Sequence, residues 1–280
     1  MLQQMLSVGE RSIHVADVGA GFFGETPPYQ PLIDQGLASL SAFEPDEREI
    51  ETLRAHLGGT ATVYPYALGD GREHTLYICP KGLGMSSLLE PDPCTLGFFN
   101  LFPEWGRVER TARIATRRLD DLTEMPQIDF LKMDVQGSEL SILSNGRRKL
   151  AQCVAVQTEI SFITLYKNQP TFGDIDRELR SQGLIPHRFM DVKNWSISPT
   201  IRAGEPRFPF HQLLEGDIVY IRDIIHPEPM SNEQIAKLAL IGHLVYGSPD
   251  LAARCIIELQ RRKAVEPNTT IRYYELLARA

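Results

Sequence analysis

Cysteine is scarce in this chain and never stands at metal or redox spacing. Cys79, Cys94, Cys153 and Cys255 include no C-x-x-C pair. A zinc ribbon and thioredoxin-like chemistry are therefore excluded, and buried reduced thiols of a cytoplasmic protein are expected. Long apolar runs are also missing. No stretch reaches the roughly 20 residues of a membrane span, and the opening MLQQMLSVGER has no apolar signal core. Positive charge is in deficit, with 29 Lys and Arg against 36 Asp and Glu and a net charge of -7. That balance argues against a nucleic-acid partner. Locally, Arg107, Arg110, Arg113, Arg117 and Arg118 cluster; they read as a solvated face or as a patch for an anionic substrate or lipid surface. No internal repeat or low-complexity segment occurs. What is present is an ordinary globular composition over 280 residues, enough for one large α/β domain or a domain with a small appendage.

Short apolar runs alternate with helical periodicity. Ile13 to Gly19 (IHVADVG) and Leu40 to Glu44 (LSAFE) read as buried parallel strands. Leu32, Ile33 and Leu37 lie at helical spacing between them. Glu47 to Leu57 predicts a helix stopped by Gly58-Gly59. Ala61 to Leu68 predicts a third strand, weakened by Pro65. Residues 74–79 and 112–118 look like strands around an irregular insertion rich in Gly82, Gly84, Pro91, Pro93, Pro103, Phe98, Phe99, Phe102 and Trp105. Such a loop fits a lid or substrate wall, or a satellite core. Ile128 to Val135 (IDFLKMDV) predicts a fourth strand, Ser138 to Leu150 a helix, and Val154 to Ile160 a fifth strand. Thr171 to Ser181 predicts a helix, and further strands fall near 185–192 and 217–222. The alternation implies an α/β fold with a doubly wound, mostly parallel sheet. After Asp223 the character changes. His226-Pro227-Glu228-Pro229 reads as a linker, followed by helices over about 231–246, 249–262 and 270–280. The expected division is a domain over 1–224 and a small C-terminal helical appendage over 225–280.

Gly19-Ala20-Gly21-Phe22-Phe23-Gly24 matches G-x-G-x-x-G after a strand, and Glu44 lies 20 residues beyond Gly24. The pattern suits a dinucleotide and S-adenosylmethionine equally well. Two neighbours favour S-adenosylmethionine. Asp17 would repel a pyrophosphate and attract the ammonium of a methionine moiety. Pro27, Pro28 and Pro31 spoil the clean helix start that would receive a pyrophosphate. Glu44 can accept from both ribose hydroxyls of either cofactor.

Asp129-Phe-Leu-Lys132-Met-Asp134-Val-Gln-Gly137-Ser-Glu139-Leu, followed by Leu143, resembles the characteristic block of the FkbM family of methyltransferases. Supporting pieces follow the same order: Ala42-Phe-Glu44-Pro-Asp46, Ala67-Leu-Gly-Asp70, Ser86-Ser87-Leu88, Leu119-Asp120-Asp121, Thr158-Glu159-Ile-Ser161 and Gly216-Asp-Ile-Val-Tyr220. The resemblance spans roughly residues 13–222. It departs at Gly21, where members often have Asn, and at Gln136, where Glu is frequent. It implies a Rossmann-like class I methyltransferase fold and O-methylation of a hydroxyl on a sugar, glycan or natural product.

Methyl transfer is largely a positioning problem, with help for a hydroxyl that must lose its proton. Open α/β sheets bind ligands at the carboxyl ends of their strands, where Asp17, Glu44, Asp134 and Glu159 are expected. Asp134 and Glu159 are the candidate catalytic pair. One could act as general base, or both could bind a divalent metal, although a metal is not expected because further ligands are lacking. Asp134 could instead cap the helix near Ser138. Glu139 reads as a first-turn helix acid, and Lys132 as the partner of an acid. The cofactor set is Asp17, Gly19, Gly21, Glu44, Leu68 and Asp70, with Leu68 on the adenine and Asp70 nearby or in a turn. His187 and His211 are minor candidates, and Pro93-Cys94 looks incidental. The competing readings are a nicotinamide-dependent oxidoreductase and a non-catalytic binding protein. The helical tail could form a homodimer.

Overall fold

The computed structural model describes residues 2–10, 12–20, 26–45, 47–57, 61–80 and 84–279. Gly21 to Gly24 of the glycine loop, Asp46, Gly58-Gly59 and Gly82 lie outside the described residues.

The first half contributes α1 (Leu2–Leu6), β1 (Ile13–Val18), α2 (Gln30–Asp34), β2 (Ala38–Phe43), α3 (Glu47–Leu57) and β3 (Ala61–Tyr64). The expected third strand divides at Pro65. Beyond it, β4 (Ala67–Leu68) joins a second, three-stranded sheet with β5 (Glu73–Ile78) and β6 (Arg110–Arg117). Proline has no N–H to continue a ladder, which fits a break at this point. The insertion holds α4 (Pro93–Phe98) and α5 (Phe102–Trp105). Then come β7 (Phe130–Met133), α6 (Glu139–Ser144), β8 (Ala155–Ser161), α7 (Phe172–Ser181), β9 (Leu184–Trp195) and β10 (Gln212–Arg222). Helix α6 is shorter than its periodicity predicts. It ends at Asn145-Gly146, where a Cβ on Gly146 would come within 2.8 Å of Leu119. The chain closes with α8 (Asn232–Leu244), α9 (Pro249–Arg261) and α10 (Thr269–Leu277).

The main sheet has the order β3-β2-β1-β7-β8-β10-β9. Its first five strands are parallel, and β10 lies antiparallel between β8 and β9. The winding reverses between β1 and β7, which places a crevice at their carboxyl ends. Strand β1 is buried along its whole length, as expected of a strand covered on both faces. Its alternate residues feed two cores. Ile13 and Val15 face a core with Phe130, Val154 and Val219; Ala16 and Val18 face one with Leu131, Ile142 and Val156.

Helix α8 is buried continuously from Gln234 to Gly242, the pattern of a helix enclosed on all sides. Its Ile235, Leu238 and Ile241 belong to the same core as Val15 and Phe130. The C-terminal helices thus cover one face of the sheet. The insertion aromatics build a satellite core in which Phe99 and Phe102 pack with Leu165, Tyr166 and Leu214. Trp105 and Trp195 meet edge to face at 5.6 Å. Of the two readings of this segment, the satellite core is the one seen. Among the described residues, no helix is long and apolar enough to cross a membrane.

Candidate active site

The glycine turn after β1 is set by backbone crowding. Gly19 has φ +79°, and a Cβ there would lie 2.0 Å from the Asp134 carbonyl oxygen. Only glycine suits both the left-handed conformation and that approach. Gly19 N and Ala20 N each donate to Phe43 O at 3.2 Å, while Asp134 N donates to Val18 O at 3.1 Å. The ends of β1, β2 and β7 are thereby laced together.

Asp17 sits just beneath this turn and is 4% exposed. Its Oδ2 accepts from the Tyr29 hydroxyl at 2.7 Å. Its Oδ1 lies 3.3 Å from Lys132 Nζ but lacks an aligned hydrogen-bond donor. Lys132 therefore pairs with an acid as its sequence position suggested. Burial works against its ammonium, yet Asp17 and Asp134 hold it above the usual lysine range. Glu44 follows β2, half-buried, with its N–H on Tyr64 O at 3.2 Å. Phe43 and Tyr64 stack beside it at 5.0 Å.

The remaining cofactor candidates are otherwise engaged. Leu68 is 4% exposed and packs in the core with Val18 and Phe43. Asp70 closes the turn between β4 and β5. It accepts from Arg72 N at 3.0 Å and from His74 Nε2 at 2.7 Å. Partial burial pushes its carboxyl up, but the His74 and Arg72 contacts outweigh this and hold it below the ordinary range. Gly21 lies outside the described residues.

The two candidate catalytic residues, Asp134 and Glu159, do converge. Asp134 is exposed at the end of β7; Glu159 is 8% exposed on β8. Gln136 joins them, its Nε2 donating to Asp134 Oδ1 and to Glu159 Oε2 at 3.0 Å each. Burial, then Glu215 and Asp134, push the Glu159 carboxyl well above the ordinary range, against a weaker pull from Lys193. Lys193 is tied to Glu215 at 2.8 Å. Ser138 makes no side-chain cap to α6. Instead Glu139 turns back and accepts from Val135 N at 3.1 Å and Gly137 N at 3.2 Å. Its burial raises its carboxyl to about 7.

Gln136, Ser87 and Tyr166 carry contacts that sequence reasoning did not assign. Ser87 Oγ donates to the Gln136 carbonyl at 2.6 Å, and the Tyr166 hydroxyl donates to Gln136 Oε1 at 3.3 Å. The signal available was Ser87 within the family block, with no indication of its partner. His187 bonds Ser248 at 2.9 Å, and burial lowers its pKa; His211 is exposed. Cys94 is an exposed helix-start residue whose N–H is capped by Asp92. In the arginine cluster, Arg113 pairs with Glu73 at 2.6 Å and Arg117 lies 3.7 Å over the Tyr66 ring.

Asp17 holds a carboxylate beneath the turn with Oδ1 facing Lys132 Nζ at 3.3 Å without an aligned donor, an acidic site that suits a second cation, the ammonium of S-adenosylmethionine. Glu44 at the neighbouring strand end fits its ribose.

Known proteins resemble this chain in sequence and in structure. The 2-O-methyltransferase NoeI of Sinorhizobium fredii is 27% identical over 143 residues, which cover 47% of this chain and 57% of that protein. The chain thus matches little more than half the length of that relative. Among solved structures, magnesium protoporphyrin IX methyltransferase from Synechocystis PCC 6803, with bound SAM, is 12% identical. That match covers 79% of this chain and 76% of the other, at a TM-score of 0.39. Precorrin-6y C5,15-methyltransferase from Geobacter metallireducens GS-15 is 13% identical over 79% of this chain and 87% of its own, also at 0.39. The fold assignment rests on the strand order of this chain rather than on those two likenesses. A family profile described as the methyltransferase FkbM domain matches residues 17–185. With well over half of its length so matched, the chain belongs to the FkbM methyltransferase family.

Proposed function

We propose that this protein transfers a methyl group from S-adenosylmethionine to a hydroxyl of a sugar, glycan or related natural product. The observation that carries the reading is the contact between the two halves of the site. The Gly19 turn approaches the Asp134 carbonyl so closely that no side chain fits between them, and Asp134 shares one amide with Glu159. A cofactor at the turn and an acceptor at the carboxylates would therefore be neighbours. The 2-O-methyltransferase title of the relative supports a sugar hydroxyl as the acceptor.

When bound, S-adenosylmethionine supplies a methyl group on a positively charged sulfur. Asp17, Gly19 and Glu44 would hold it, with Asp17 toward the ammonium and Glu44 toward the ribose. The exposed Asp134 side chain would take the proton that the acceptor hydroxyl loses on methylation. Burial raises the Glu159 carboxyl well above the ordinary range, which favours its protonated form; in that form it would donate a hydrogen bond to an acceptor oxygen and orient the substrate. No metal is assigned to this step.

Calorimetry with S-adenosylmethionine and with NAD tests the cofactor. Binding of NAD alone sinks the proposal. Labelled methyl transfer to an oligosaccharide panel tests the reaction, with Asp134→Ala expected to lower it at least about 100-fold. Retained transfer in both Asp134→Ala and Glu159→Ala rejects the catalytic assignment. A homodimer through α9 and α10 is a second proposal, supported by exposed Ile257, Ile271 and Tyr274. Light scattering on Ile271→Asp should then report a monomer.

A further inference from the structure

Gln136 occupies the position where a glutamate is common in proteins of this resemblance, and it makes more contacts than a turn residue needs. Its backbone is left-handed at φ +57°, followed by Gly137 at φ +104°. A side chain larger than Asn or Asp rarely adopts that region, and such a conformation persists only where the surroundings over-determine it. Here they do. The carbonyl accepts from Ser87 Oγ at 2.6 Å, the amide oxygen accepts from the Tyr166 hydroxyl at 3.3 Å, and the amide nitrogen serves both Asp134 and Glu159 at 3.0 Å. The single Tyr166 hydroxyl hydrogen is shared between Gln136 Oε1 and Met85 O, the latter at 3.1 Å. An amide NH2 has two hydrogens, one for each carboxyl group.

We propose that Gln136 is a positioning residue that holds Asp134 and Glu159 in separate roles, and that the insertion fixes Gln136 through Ser87 and Tyr166. This rests on the assignment of the two carboxyl groups to the acceptor side. A glutamate, frequent here among similar proteins, has no N–H to share between the two carboxyl groups and would add negative charge beside a buried acid, so it would hold them differently from the amide. The amide lets the buried and the exposed carboxyl groups stand on either side of one neutral donor. Other groups act on Glu159: Glu139 from α6, Glu215 from β10 and Lys193 from β9. Lys132 and Asp217 act on the Asp134 end from β7 and β10.

The test is carbon-13 NMR titration of the Glu159 carboxyl in the full chain, with S-adenosylmethionine calorimetry on each sample. Gln136→Gly suits the left-handed backbone and removes the amide. Gln136→Glu keeps the length and replaces the donor. The expected result is a rise of the Glu159 midpoint by at least about half a unit in Gln136→Gly, because a donor to its charged form is lost, and a larger rise in Gln136→Glu. Cofactor affinity should stay within about twofold. Tyr166→Phe should move the midpoint in the same direction by less, since it loosens the amide without removing it. If Gln136→Gly does not fold, Gln136→Asn is measured, whose shorter amide tolerates the turn and cannot span both acids. An unchanged Glu159 midpoint in the folded variant overturns the proposal. The outcome is separable from the catalytic reading. Shifted midpoints together with full methyl transfer by Asp134→Ala would leave the clamp in place and remove only the roles assigned to the acids.

Discussion

Glu139 is 5% exposed, and its oxygen accepts from the N–H groups of Val135 and Gly137. Those bonds shape the turn that carries Gln136, so a carboxyl group is kept where a charge is poorly solvated. Burial, the largest effect, raises it from an ordinary 4.5 to about 7. The folded state therefore holds its proton more tightly than the unfolded state. The associated stability is fully present below pH 4.5 and declines as the pH rises through 7. The shift corresponds to a contribution on the order of 3 kcal/mol. Glu139→Gln keeps an acceptor for both N–H groups and cannot ionise. Urea unfolding at about pH 5 and about pH 8 should show a smaller loss in the variant than in the parent; equal losses would dissociate this residue from the pH dependence. Gly19→Ala is a harsher change. Its Cβ would lie 2.0 Å from Asp134 O in a left-handed backbone. It should cost at least about 3 kcal/mol by chemical denaturation and weaken S-adenosylmethionine binding measured by calorimetry.

Elements are joined by buried charges whose partners lie far apart in the chain. Lys237, in the buried stretch of the face-covering helix α8, reaches Asp129 just before β7 at 3.0 Å and Glu233 at 2.7 Å. Asp129 also accepts from His14 N at 2.8 Å. Lys237→Ala should destabilise by about 3–5 kcal/mol, because a buried carboxylate loses its cation. The pair Asp129→Asn with Lys237→Met should recover most of that loss, as read from denaturant midpoints. If the single and double variants are equally destabilised, the ion pair is not the source. These contacts also explain what sequence reasoning can and cannot reach at this scale. IHVADVG is recognisable because burial on both faces leaves a continuous apolar run; Asp134 is recognisable because it directly follows β7, whereas Glu159 lies within β8, two residues before its end. The bond from Ser87 to Gln136 crosses 49 positions and has no periodic signature. The early end of α6 depends on Leu119 packing against Gly146, which helical periodicity does not contain. Leu68 and Asp70 gain their candidacy from an expected third strand over Ala61 to Leu68, whereas β4 belongs to the second sheet.

For the whole molecule, the decisive question is whether residues 1–224 stand without the C-terminal helices. Val15, Phe130, Val154 and Val219 are fully buried on a face that also holds Ile235, Leu238, Ala239 and Ile241 of α8. Phe130 further meets Tyr246 edge to face at 5.9 Å. Uncovering four such side chains costs about 1.5–3 kcal/mol each, a sum comparable to the entire stability of a typical domain, about 5–15 kcal/mol. Arg188 on β9 also donates to Tyr246 O at 2.9 Å, and Arg262 after α9 binds Met230 O and Pro227 O, so the linker is tied at both ends. A chain cut after residue 224 should therefore lack a cooperative thermal transition and should bind an apolar dye. The full chain should melt in one step. A truncated chain that melts cooperatively and binds S-adenosylmethionine with unchanged affinity would show that the helices are a separable appendage. The expected failure would instead make α8 part of the scaffold that holds β1 and β7, and with them the Gly19 turn and Asp134, at their working separation.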